Sequence, residues 1–94
     1  MFNIVDLSEN NVKFIGQFMA NDITIVENYL NKVNNTIRLD LSELKYISSA
    51  GLSVLLRAQM RLKQMGHELI LCNLNKTASA IFRTVGFGAL FKIE

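Results

Sequence analysis

The chain has one cysteine, Cys72, and one histidine, His67, among its 94 residues. A single thiol excludes an intrachain disulfide, and together the two side chains fall short of the three or four ligands that a zinc site needs. A reduced, cytoplasmic setting is therefore expected. Cys72 lies within an apolar run with nothing nearby in sequence to lower its pKa, so it reads as an inert core residue rather than a nucleophile. His67 follows a helix-ending glycine beside Glu68 and reads as a solvated turn residue. Glycine is also sparse, and Gly86 and Gly88 are too isolated to cradle a phosphate. The eight acidic residues fall mostly singly at caps, turns and strand ends, with no pair expected to face across a cleft for acid–base chemistry. The expectation is a protein that is not an enzyme and carries no cofactor and no metal.

An excess of charge of one sign is missing as well. Ten basic and eight acidic residues leave a net charge of +2, too little to attract nucleic acid or an anionic membrane over a distance. Arg57, Arg61 and Lys63 form a basic helix surface, but no aromatic platform accompanies it. No stretch approaches the roughly 20 apolar residues of a membrane span, and the N-terminus lacks the basic-then-apolar layout of a signal peptide. Repeats, linkers and low-complexity segments are absent too. A soluble protein that finds its partner by shape and local chemistry is expected.

What the chain does have is apolar content, 50% of its residues, enough to give residues 1–94 one core as a single domain. Phe2 to Leu7 and Asn11 to Phe18 read as a hairpin around Ser8-Glu9-Asn10-Asn11. After the potential caps Asn21 and Asp22, the spacing of Ile23, Val26, Tyr29, Leu30 and Val33 predicts an amphipathic helix ending at Asn34-Asn35. Thr36 to Leu41 reads as a strand buried on both faces, with Ser42 to Ile47 as a loop. A second helix is predicted over Ser49 to Met65, stopped by Gly66. Its Leu52, Leu55, Ala58 and Leu62 form one stripe. Val54, Leu56, Met60 and Met65 widen the apolar arc, leaving either a neighbouring helix or a partner to cover the excess. Glu68 to Leu74 reads as a buried strand. Asn75 to Val85 reads as a third helix, capped by Asn75 or Thr77, with Ala78, Ile81, Phe82 and Val85 inward and Gly86 as its stop. Phe87 to Ile93 is left as a last strand or extended tail. The order β-β-α-β-α-β-α-β predicts an α/β domain with a mixed sheet of four to five strands and right-handed crossovers.

The stretch from Asp40 to Leu56 organises the rest, as strand, loop and helix. Ser48 is placed as the N-cap of the second helix, its oxygen accepting from an amide that the first turn leaves unpaired. Ser49 then becomes the first helical residue, where aligned peptide dipoles place roughly +0.5 of an elementary charge. A phosphate on Ser49 would add about −1.5 to −2 charges without melting the helix beneath it. On residue physics alone, capping a helix is the commoner role for both serines.

Asp40-Leu41-Ser42, followed by Ile47-Ser48-Ser49-Ala50-Gly51-Leu52, resembles the signature of STAS domains, in particular the bacterial anti-sigma factor antagonists. Gly16 matches a glycine that family members carry after their second strand, and Leu90-Phe91-Lys92-Ile93 resembles the family's closing segment. The resemblance thus covers nearly the whole chain. It implies the STAS-like, SpoIIAA-like fold, with helices packed on one side of the sheet. It also implies that Ser49 is the serine phosphorylated by a partner kinase, with Ser48 as the fallback. The partner surface it implies comprises Ser48, Ser49, Ala50, Gly51, Leu52 and Ser53, together with Asp22 and Met19. The implied partners are an anti-sigma factor with serine kinase activity and a metal-dependent serine phosphatase. Many antagonists carry an aspartate just before the phosphorylated serine and another three residues after the glycine of the second strand. Here those places hold Ser48 and Met19, a departure that bears on how a kinase's metal and nucleotide are positioned. The competing expectation is a non-enzymatic accessory subunit of a lipid or solute transporter, docked constitutively without phosphorylation.

Overall fold

The computed structural model describes residues 1–94. Strands β1 (Phe2–Ser8) and β2 (Asn11–Phe18) form the hairpin, and a 3-10 turn at Ala20–Asp22 leads into helix α1 (Ile23–Asn31). Strand β3 (Ile37–Ile47), helix α2 (Ser49–Gln64), strand β4 (Leu69–Cys72) and helix α3 (Lys76–Thr84) follow. A 3-10 turn at Phe87–Ala89 and the short strand β5 (Lys92–Ile93) close the chain. The five strands lie in the order β1-β2-β3-β4-β5. β1 is antiparallel to β2 and every other neighbouring pair is parallel. This is the element order and the mixed sheet that the sequence predicts.

Strand alternation sends Val12, Phe14 and Phe18 of β2, Leu39 and Leu41 of β3, and Leu69 and Leu71 of β4 into one core. Against them pack Val26 and Leu30 of α1, Leu55 and Leu62 of α2, and Ala78 and Phe82 of α3. All three helices thus cover the same side. Gly16, inside β2, has φ +93°, and a β-carbon there would lie 1.9 Å from the Met1 carbonyl oxygen. That oxygen accepts from the Gln17 amide at 3.1 Å, so only glycine lets the chain's start close onto β2.

Several expectations are corrected. β3 is buried on one face only, with Arg38 and Asp40 half-buried on the other. Nor does it stop at Leu41: Ser42 to Ile47, expected as a loop, continues the strand. Buried Leu44 and Ile47 anchor this extension, while register shifts between Lys13 and Ile15 and between Gly16 and Gln17 realign it on β2. β4 is shorter than its apolar run, ending before Asn73 at φ 56°. Val85 lies outside the core at 44% exposure, because α3 ends one residue earlier and the chain then turns at Gly86. Asp22 does not cap α1 with its side chain; its carboxylate instead accepts from the Met19 amide at 2.9 Å.

The wide apolar arc of α2 divides. Val54 is buried where α1 lies alongside, whereas Met60 and Met65 face outward. Arg61, expected on a solvated face, donates to the carbonyls of Leu30 at 2.7 Å and Val33 at 2.6 Å, and so caps the C-terminal end of α1. Gln59 is the one buried polar residue. It accepts from the Leu69 amide at 2.6 Å and donates to the Leu90 carbonyl at 2.9 Å, joining α2 to β4 and to the turn before β5.

Candidate functional site

The site is built where β3 passes into α2. Ile47 is buried and the next residue, Ser48, is held in extended geometry at φ −74°, ψ 164°. Its amide donates to the Phe18 carbonyl at 2.9 Å, which ties the turn to the end of β2. Its hydroxyl accepts from the Gly51 amide at 3.1 Å, and its carbonyl accepts from the Leu52 amide at 3.0 Å. Ser48 is therefore the N-cap that its sequence position predicts.

Ser49, the first residue of α2, is exposed. Ala50 and Ser53 are exposed beside it, Leu52 is half-buried, and Gly51 is buried. A β-carbon on Gly51 would lie 2.8 Å from Ile47 Cγ1 and 3.2 Å from Phe18 Cδ2, so this residue sets how closely the first turn approaches the sheet. It contributes packing rather than a side chain to any outer surface. Met19 follows Phe18, is 39% exposed, and is held by the Asp22 carboxylate. The structure thus gathers Met19, Ser48, Ser49, Ala50, Leu52 and Ser53 at one end of the sheet, with Gly51 buried beneath them and the half-buried Asp22 holding the Met19 amide. Tyr46, 46% exposed just before the turn, is a neighbour that sequence reasoning missed. Its signal was the extension of β3, which puts residues 46 and 47 on a strand rather than in a loop.

The arrangement offers a hydroxyl on the positive end of a 16-residue helix. A phosphate at this point would gain from the dipole and displace no core side chain. The remaining titratable groups make no comparable centre. Burial pushes the Cys72 thiol up, and nearby Arg38 opposes that only in part. No three of the chain's His, Cys, Asp and Glu side chains converge as metal ligands. No helix is long and apolar enough to cross a membrane.

The family model of the STAS domain matches residues 10–94. BtrV of Bordetella bronchiseptica, a candidate anti-sigma factor antagonist, is 39% identical over 64 residues, covering 68% of this chain and 55% of that protein's length. The anti-sigma-B factor antagonist of Listeria monocytogenes is 27% identical over 99 residues, covering 96% of this chain and 87% of the relative. Among solved structures, the unphosphorylated anti-sigma factor antagonist SpoIIAA superposes with a TM-score of 0.77 at 18% identity, covering 100% of this chain and 88% of that one. The phosphorylated form of the Bacillus cell fate determinant SpoIIAA gives 0.71 at 17% identity, covering 100% and 91%. At those identities the two structures speak to the fold alone, which is SpoIIAA-like. The family match spans nearly the whole chain, and its curated relatives are anti-sigma factor antagonists: this chain belongs to the STAS domain family.

Proposed function

We propose that this domain is an anti-sigma factor antagonist that works as a phosphorylation-controlled partner switch and catalyses nothing itself. In the unphosphorylated form it binds a cytoplasmic anti-sigma factor with serine kinase activity through the Ser48–Ser53 turn and Met19. Phosphorylation of Ser49 releases it, and a metal-dependent serine phosphatase restores the binding form. The single observation that carries this reading is the exposed Ser49 hydroxyl, set on the first turn of α2 by a neighbouring serine that already does the capping. That relatives are antagonists, and that SpoIIAA exists in phosphorylated and unphosphorylated forms, supports it.

The physical logic is a charge placed against a close-fitting interface. A dianion there must be desolvated or paired, and losing about 3 kcal/mol of binding weakens a complex by roughly a hundredfold. The test is incubation with ATP and a serine-kinase anti-sigma factor from the same genome, with the phosphate located by mass spectrometry and binding followed by calorimetry. One phosphate on Ser49 is expected. Ser49→Ala should bind like the parent and Ser49→Asp at least about tenfold more weakly. A chain that takes up no phosphate at Ser48 or Ser49, and whose variants all bind alike, would sink the switch and fit a constitutively docked subunit instead.

A further inference from the structure

On the flank of the molecule formed by α3 and β5, with no residue of the Ser48–Ser53 turn in its walls, lies a cavity of about 540 Å³. That volume is within the range of small-molecule sites, roughly 300–1,000 Å³. Its apolar lining comes from Leu74, Phe82, Ala89 and Ile93. Gly86 and Gly88 form part of the wall, and a β-carbon at either would meet no atom within 4 Å, so the space beside them is open.

Two charged side chains also line it, Arg83 and Glu94. Their situations differ. Glu94 is already engaged by Arg38 and by Lys92. Arg83 takes part in none of the chain's five ion pairs, and its Nη2 lies 3.5 Å from the Ser79 hydroxyl. The cavity therefore offers a guanidinium that is in no ion pair and donates only to the adjacent Ser79 hydroxyl, above an apolar floor, a combination complementary to a planar anion attached to a hydrocarbon.

We infer that this cavity binds a small monocarboxylate with an apolar tail, its head on Arg83 and Ser79 and its tail over Phe82 and Leu74. No residue of the Ser49 turn lines this site, so the domain would bind the carboxylate whether or not Ser49 is phosphorylated.

The test is titration of the full chain with octanoate, below its micelle concentration, followed by amide chemical shifts. The expected result is saturable shifts at Ser79, Arg83, Gly86, Gly88 and Ala89, with the Ser48–Ser53 amides unmoved. Neutral octan-1-ol should bind about tenfold or more weakly, and Arg83→Gln should weaken octanoate to a similar extent. Gly88→Leu, at an exposed position away from the core, should fill the space and abolish the shifts while thermal melting stays near the parent's. The inference is overturned if octanoate produces no saturable shifts at millimolar concentration, if octan-1-ol binds equally well, or if Arg83→Gln changes nothing.

Discussion

At position 51 a β-carbon would press against Ile47 Cγ1 at 2.8 Å and Phe18 Cδ2 at 3.2 Å, and neither side chain has room to retreat, being 3% and 0% exposed. Overpacking of this kind costs about 1–3 kcal/mol, against which alanine's better helix propensity returns at most about 1 kcal/mol. Gly51→Ala should therefore lower the unfolding free energy by about 1 kcal/mol in urea denaturation, the middle of that difference. Gly88→Ala, with open space around it, should stay within about 0.5 kcal/mol of the parent. A Gly51→Ala protein as stable as the parent would mean that the first turn of α2 can shift off the sheet. The position of Ser49 would then be set by something other than this contact. Gly51 falls among the proposed partner-binding residues in sequence, yet its work is mechanical: it lets the helix carrying Ser49 seat against Phe18 and Ile47.

At the scale of the element, the paired serines are not interchangeable. Ser48 spends its oxygen on the Gly51 amide, and loss of such a cap typically costs about 1 kcal/mol. Ser48→Ala should thus melt several degrees lower, since about 1 kcal/mol moves the midpoint by roughly 4–8 °C in a domain of this size. Ser48→Asp should recover most of that loss and Ser49→Ala should not melt lower. Circular dichroism melts of the three variants decide it, and a Ser49→Ala midpoint falling as far as that of Ser48→Ala would assign the structural task to the wrong serine. The start of α2 was legible in the sequence because it is local: the cap and the first turn are written within a few residues. The extension of β3 was not. Ser42, Glu43 and Lys45 look like loop residues, and only pairing with β2, with two shifts of register, keeps them in a strand. The roles of Arg61 and Gln59 were likewise hidden, since their partners Leu30, Val33 and Leu90 lie 28 to 31 residues away in sequence. The same holds for the cavity beside Arg83, whose walls meet only when β5 closes the sheet.

Across the whole molecule, the sheet separates an apolar side, covered by the helices, from an uncovered side where charges meet across strands. Register places Lys13 opposite Asp40 and Asp40 opposite Cys72. Lys13 also pairs with Glu43 at 2.7 Å, and Arg38 pairs with Glu94. Asp40 sits at the centre of this face. Burial alone would raise its pKa, but the Ser42 hydroxyl at 2.7 Å, the Ser42 amide at 2.8 Å, the Asn73 amide group at 3.0 Å and the charge of Lys13 outweigh it. Together they hold the carboxyl below its ordinary value of 3.8. Since the folded state lowers this pKa, the folded chain binds the proton less readily than the unfolded one. The stabilisation is then fully present above the ordinary value and drains away as pH falls through the lower, native one. Asp40→Asn removes the titration while keeping a side-chain oxygen for Ser42. It should be less stable than the parent at pH 7, and the gap should close as pH drops below about 4. Urea unfolding of both proteins between pH 7 and pH 3 measures that gap directly. A difference that stayed constant throughout would mean that Asp40 holds β3 and β4 together through its shape and hydrogen bonds, with its charge contributing nothing.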